Sequence, residues 1–163
     1  MCHADFADFK WPIKRFKNYL VMQLEKQGVT VHLGTKATAE LIANEHFDAV
    51  IAAVGAAPKR PAVPGSDDPA ILPASEVFGN SAKLGHHVIV VGGSETGTEA
   101  GIYLARQGHQ VTILTRRKRL ATDAQNSHYY GSLDAAVKSE HALQAICQAK
   151  TVAMGANSVT YED

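Results

Sequence analysis

Residues 88–100 read Val-Ile-Val-Val-Gly-Gly-Ser-Glu-Thr-Gly-Thr-Glu-Ala. The run from His87 to Val91 has the length and the Val/Ile content of a buried strand. Residues 95–107 read as a helix, and Gly108 stands where a helix stops. Val111, Thr112, Ile113 and Leu114 then read as a second strand. Strand, turn, helix and strand make a βαβ unit, and the crossover helix requires the two strands to pair in parallel. The fold class is therefore α/β, Rossmann-like, with a parallel sheet.

The turn inside this unit carries Gly92, Ser94 and Gly97 at the spacing of G-x-G-x-x-G, the dinucleotide fingerprint that links a strand to a helix. The first glycine permits the tight exit from the strand, and the third lets the helix lie close against it. Ser94 occupies the middle position, where backbone must approach the ligand, and Gly93 beside it keeps the turn open. The first N–H groups of the helix have no intrahelical acceptor, and the helix dipole adds partial positive charge there. Gly92, Gly93, Ser94, Glu95, Thr96 and Gly97 are thus the candidate cradle for a diphosphate.

The end of the second strand selects among dinucleotides. NAD sites place Asp or Glu there to accept from the ribose 2′-hydroxyl. This chain has Thr115, Arg116, Arg117, Lys118 and Arg119 instead. Arginine pairs bidentately with a phosphate, so the expected cofactor is NADP or NAD with NADP favoured, Thr115, Arg116 and Arg117 standing at its 2′-phosphate.

Outside this unit the pattern is looser. Five of the six prolines, Pro58, Pro61, Pro64, Pro69 and Pro73, fall in residues 56–85, with one helical turn expected from Ser75. Upstream, Ile13, Phe16, Leu20 and Leu24 form one stripe of a helix over 12–27. Residues 29–33 alternate as a short strand, Thr38 can cap a brief helix through Asn44, and residues 47–54 (Phe-Asp-Ala-Val-Ile-Ala-Ala-Val) read as a buried, parallel strand. Downstream, residues 133–150 look helical, and 151–153 with 158–161 suggest a hairpin. The expected organisation is a partial dinucleotide domain over 1–57, a proline-rich linker over 58–85 and an NAD(P)-binding domain, incomplete at its C-terminus, over 86–163.

Composition excludes several classes. The 163 residues are 45% apolar and 20% charged, as in ordinary globular chains, with sixteen Lys+Arg against sixteen Asp+Glu. A balanced charge argues against nucleic acid and anionic membranes as main partners. The longest apolar run, 49–57, is far short of the roughly 20 residues of a membrane span. With no signal peptide read at the start, the expected setting is cytoplasmic. Two cysteines, Cys2 and Cys147, cannot build a zinc or iron–sulfur site alone. Eight histidines are scattered without metal-ligand spacing, so no metal site is expected. Glu99 reads first as a helix-surface residue. No catalytic residue is assigned.

Segment 88–123 resembles the nicotinamide-binding domain of the two-dinucleotide-binding flavoprotein reductases. Residues 23–38 (Gln-Leu-Glu-Lys-Gln-Gly-Val-Thr-Val-His-Leu-Gly-Thr-Lys-Ala-Thr) and 47–65 are similar to the stretch that precedes it. The nearest likeness is to the C-terminal part of the NADH:flavin oxidoreductases related to old yellow enzyme, a group that includes 2,4-dienoyl-CoA reductase and trimethylamine dehydrogenase. The resemblance implies an NAD(P)H-binding fragment of an enzyme that passes hydride from nicotinamide to flavin. The alternative is a non-catalytic module holding ADP or FAD, or serving assembly alone. It also implies FMN, a 4Fe–4S cluster and FAD for the full-length enzyme only, with the missing barrel and flavin domains as partners. A homodimer through exposed apolar surface is a further expected partner. A flavin contact is implied near Gly55, although Val54 stands where the family has threonine, as Ser94 stands for glycine.

Overall fold

The computed structural model describes residues 5–122 and 127–163, the side chains of Ser127, His128 and Tyr130 excepted. Cys2, His3 and the His128 side chain therefore lie outside the described residues. The described residues form two units, one of residues 5–11 and 58–163, the other of residues 12–57.

In the first unit β1 (His87–Val91), β2 (Gln110–Thr115) and β3 (Leu143–Cys147) form a parallel sheet in the order β1-β2-β3. Val90 pairs with Ile113, and Val111 with Leu143. Helix α3 (Glu95–Arg106) crosses from β1 to β2 and buries Ile102 and Leu104 completely. Ile113 and Val111 of β2 and Leu133 of α4 (Ser127–Ser139) complete this core. Helix α3 ends as its sequence demands. Gly108, at φ +93°, donates to Ala105, and the His109 N–H reaches back to Leu104, a Schellman stop. His109 is buried beneath this corner, its Nδ1–H donating to the Gly85 carbonyl at 2.8 Å.

A hairpin of β4 (Lys150–Gly155) and β5 (Ser158–Glu162) follows, with an irregularity between Thr151 and Ala153. The proline-rich stretch carries 3-10 turns at Ala74–Glu76 and Ser81–Lys83. Val77 and Phe78, between those turns, are buried in the core. Residues 5–11 return to the same core although they lie some eighty residues upstream of it. Ala7 is buried, and the Phe6 ring meets Phe78 and Tyr103 at centroid distances of 6.2 and 5.9 Å.

The second unit holds most of α1 (Trp11–Lys26) and α2 (Ala39–Asn44), the latter capped by Thr38, whose Oγ1 accepts from the Leu41 N–H.

Three expectations are corrected. The helix read over 133–150 stops at Ser139, and residues 143–147 are a strand, because β2 offers them a parallel edge. Residues 29–33 and 47–54 form no strand. A strand exists only by pairing, and none of the described residues offers these runs a ladder, so Ile51 and Val54 stand 89% and 92% exposed.

Candidate functional site

The turn between β1 and α3 is built by steric exclusion. Gly92 sits at φ +108°, which disfavours any side chain, and its N–H closes the ladder on the Leu114 carbonyl at 2.9 Å. Nothing lies within 4 Å of where its Cβ would be, so its backbone faces open space. A Cβ at Gly97 would overlap the Gly92 carbonyl oxygen, and this contact is what brings α3 against the strand exit. Gly93 is as constrained. A Cβ there would meet Leu120 Cδ2 at 2.5 Å and Thr115 Cβ at 2.8 Å, while its carbonyl accepts from the Ala121 N–H at 2.8 Å. Ser94 is the N-cap of α3, and its hydroxyl makes no capping bond. The Ser94 hydroxyl therefore takes none of the opening N–H groups of the helix. An open, positive-φ backbone beside a helix start is a geometry that can receive an anionic group such as a diphosphate.

Thr115, the last residue of β2, is buried; its Oγ1 accepts from the Arg117 N–H at 3.3 Å. Arg116, Arg117, Lys118 and Arg119 follow, all exposed. Arg117 Nη1 donates to Thr122 Oγ1 at 2.7 Å, and its carbonyl ties to the Gln148 N–H, so the loop is anchored by backbone while its charges face solvent. Thr96 lines a cavity of about 740 Å³ that runs along the β1 edge not paired to β2.

Ten residues were expected at the site. The structure gathers nine of them, Gly92 to Gly97 and Thr115 to Arg117, at the C-terminal ends of β1 and β2, where α/β sheets bind ligands. Gly55 belongs to the other unit, with φ +81° and open space around its Cβ position. No group of three His, Cys, Asp or Glu among the described residues can hold a metal. Nor is any described helix long and apolar enough to cross a membrane.

Glu99 is not on the helix surface. It is buried, and its Oε1 accepts from Lys10 Nζ at 2.6 Å and from the Tyr129 hydroxyl. Lys10 also lies 5.9 Å from the Tyr129 ring centroid. Burial first, then the hydrogen bond to Glu99 and the charges of Glu99 and Glu95, push the Tyr129 phenol above its ordinary range, so it stays protonated. No sequence spacing signals this cluster, since Lys10 and Glu99 are 89 residues apart.

A family model of the pyridine nucleotide-disulphide oxidoreductases matches residues 14–133. The chain is 29% identical over 154 residues to the bilirubin reductase of Mediterraneibacter gnavus, covering 94% of this chain and 24% of that protein. It is 33% identical over 124 residues to the NADH oxidase of Thermoanaerobacter brockii, covering 74% of this chain and 19% of that one. In fold it resembles the solved complex of 2-naphthoyl-CoA reductase with 2-naphthoyl-CoA, at TM-score 0.89 and 23% identity, over 98% of this chain and 24% of that chain. The chain therefore spans a quarter or less of the length of these proteins. A glycine-bearing βα turn of this shape, set in a sequence that the family model matches over most of its length, makes the chain a member of the pyridine nucleotide-disulphide oxidoreductase family, whose enzymes are flavoproteins that bind FAD and NAD(P)H.

Proposed function

We propose that this chain is the NAD(P)H-holding part of a flavin-dependent reductase. Nicotinamide bound here supplies hydride to a flavin held elsewhere in the intact enzyme. The observation that carries this reading is the Gly92–Gly97 turn, whose backbone is open at Gly92 while Gly97 seats the helix start beside it. The chain's own residues bind and orient. The amides at the start of α3 take the diphosphate, and Thr115, Arg116 and Arg117 take the ribose end. Arg116 and Arg117 stand where a carboxylate would select NAD, so NADP is the preferred nucleotide.

Within the family, the group proposed is the one related to old yellow enzyme, on the resemblance carried by residues 23–38, 47–65 and 88–123. There, a barrel with FMN and a 4Fe–4S cluster, and a domain with FAD, would lie outside these 163 residues. Residues 12–57 belong to that flavin domain in this reading. Their exposed Leu33, Ile51 and Val54 are surfaces that the rest of the enzyme, or a second copy, would cover. The setting proposed is cytoplasmic. Ser94, in the middle fingerprint position, favours the second reading, a module that holds ADP or FAD, or no nucleotide, without turnover.

Calorimetric titration with NADPH, NADH and ADP decides among these. NADPH binding most tightly, with the preference reversed to NADH in an Arg116→Ala, Arg117→Ala double variant, is the expected result. ADP binding as well as both coenzymes would favour the second reading, and no binding at all would refute the first.

A further inference from the structure

Helix α3 has a charge conflict built into its start. Its first turn carries Glu95 and its second carries Glu99. At 1.5 Å of rise per residue, the Glu99 backbone lies only about 6 Å along the axis from the first helical residue. A diphosphate arriving at this helix start therefore meets a carboxylate within one turn. Glu99 is also buried, where solvent screens its charge poorly.

Lys10 answers that conflict. Its ammonium reaches Glu99 Oε1 at 2.6 Å, with the two side chains 10% and 8% exposed. It arrives from outside the βαβ unit, on a segment held by the Phe6 ring against Phe78 and Tyr103 and by Asp8 on Arg106 at 3.0 Å. Tyr129 adds a neutral hydrogen bond to the same oxygen but no charge. A surface ion pair would contribute little, but a buried one fixes the local charge at a point where an anion must bind.

We propose that Lys10 is a positioning residue for anionic nucleotide. By neutralising Glu99 from the segment 5–11, it lets the N-terminus of α3 accept a diphosphate. This rests on the nucleotide reading above. It adds that nucleotide affinity depends on a residue 82–87 positions upstream of the turn, and through charge rather than contact.

The test is calorimetric titration of the whole chain with NADPH at low and high salt, together with a thermal melt of each variant. Lys10→Met leaves Glu99 uncompensated and is expected to weaken NADPH about tenfold at low salt and less at high salt. Lys10→Arg is expected to bind within a few-fold of wild type. The decisive variant is Lys10→Met with Glu99→Gln, which removes both charges. It should recover most of the lost affinity while its melting temperature stays below wild type, separating charge from packing. Should Lys10→Met fail to fold, Glu99→Gln alone reads the same effect, since it keeps Lys10 and is expected to bind at least as tightly as wild type. Equal affinity of Lys10→Met and wild type, no recovery in the double variant, or a tenfold loss in Glu99→Gln would each overturn the proposal while leaving the nucleotide site intact. A wild-type chain that binds no NADPH would instead overturn the nucleotide reading, and this one with it.

Discussion

Gly97 shows how much one missing side chain can decide. Its Cβ position is filled by the Gly92 carbonyl oxygen, which is backbone and cannot rotate away. Gly97→Ala must push α3 off the strand exit, and overpacking of this kind costs about 1–3 kcal/mol. The expected outcome is a lower denaturant midpoint together with weakened nucleotide binding, read by urea unfolding and titration of the same preparation. Tyr129 gives a second expectation, in pH. Burial and the Glu99 hydrogen bond hold its phenol above the ordinary value of 10.0, so the folded chain keeps this proton longer than the unfolded chain. Its contribution to stability is complete below about pH 10 and is lost as pH rises beyond that. Denaturant midpoints measured from pH 9 to 11.5 should fall for wild type and fall less steeply for Tyr129→Phe. Neither residue was equally legible. The fingerprint spacing points to Gly97, whereas Tyr129 is placed at Glu99 only by the packing of α4 on α3.

At the scale of elements, the βαβ unit was readable because each of its signals is local. Val/Ile content marks β1, the turn glycines mark the start of α3, and Gly108 marks its end. The elements misread are those whose state depends on a neighbour. Residues 143–147 became β3 because β2 presents an edge, and the apolar run 47–54 found no edge among the described residues. Hydrogen exchange should separate the two cases. Amides of residues 111–115, laddered in the middle strand, are expected to be strongly protected, while those of 47–54 make no backbone hydrogen bond among the described residues and should exchange near the unprotected rate. Strong protection across 47–54 would show that these residues pair in solution.

For the whole molecule, the segment 5–11 matters out of proportion to its length. It buries Ala7 and seats Phe6 on the Phe78–Tyr103 pair. It also brings Asp8 to Arg106 and Lys10 to Glu99. Removing residues 1–10 is therefore expected to lower the melting temperature by about 8–10 °C, the shift that a loss of roughly 2 kcal/mol produces in a domain of about 100 residues. A melting temperature unchanged by the deletion would mean that this segment does not pack on the nucleotide unit in solution. The amino-acid order by itself determined the α/β class, the glycine turn, the basic residues after β2 and the hairpin, because backbone conformation and hydrophobic period are set within a few neighbouring residues. The third strand, the burial of Glu99 and the arrival of Lys10 beside it were decided by tertiary structure alone. Strand pairing and charge burial join residues that are tens of positions apart, and no local pattern encodes which of them will meet.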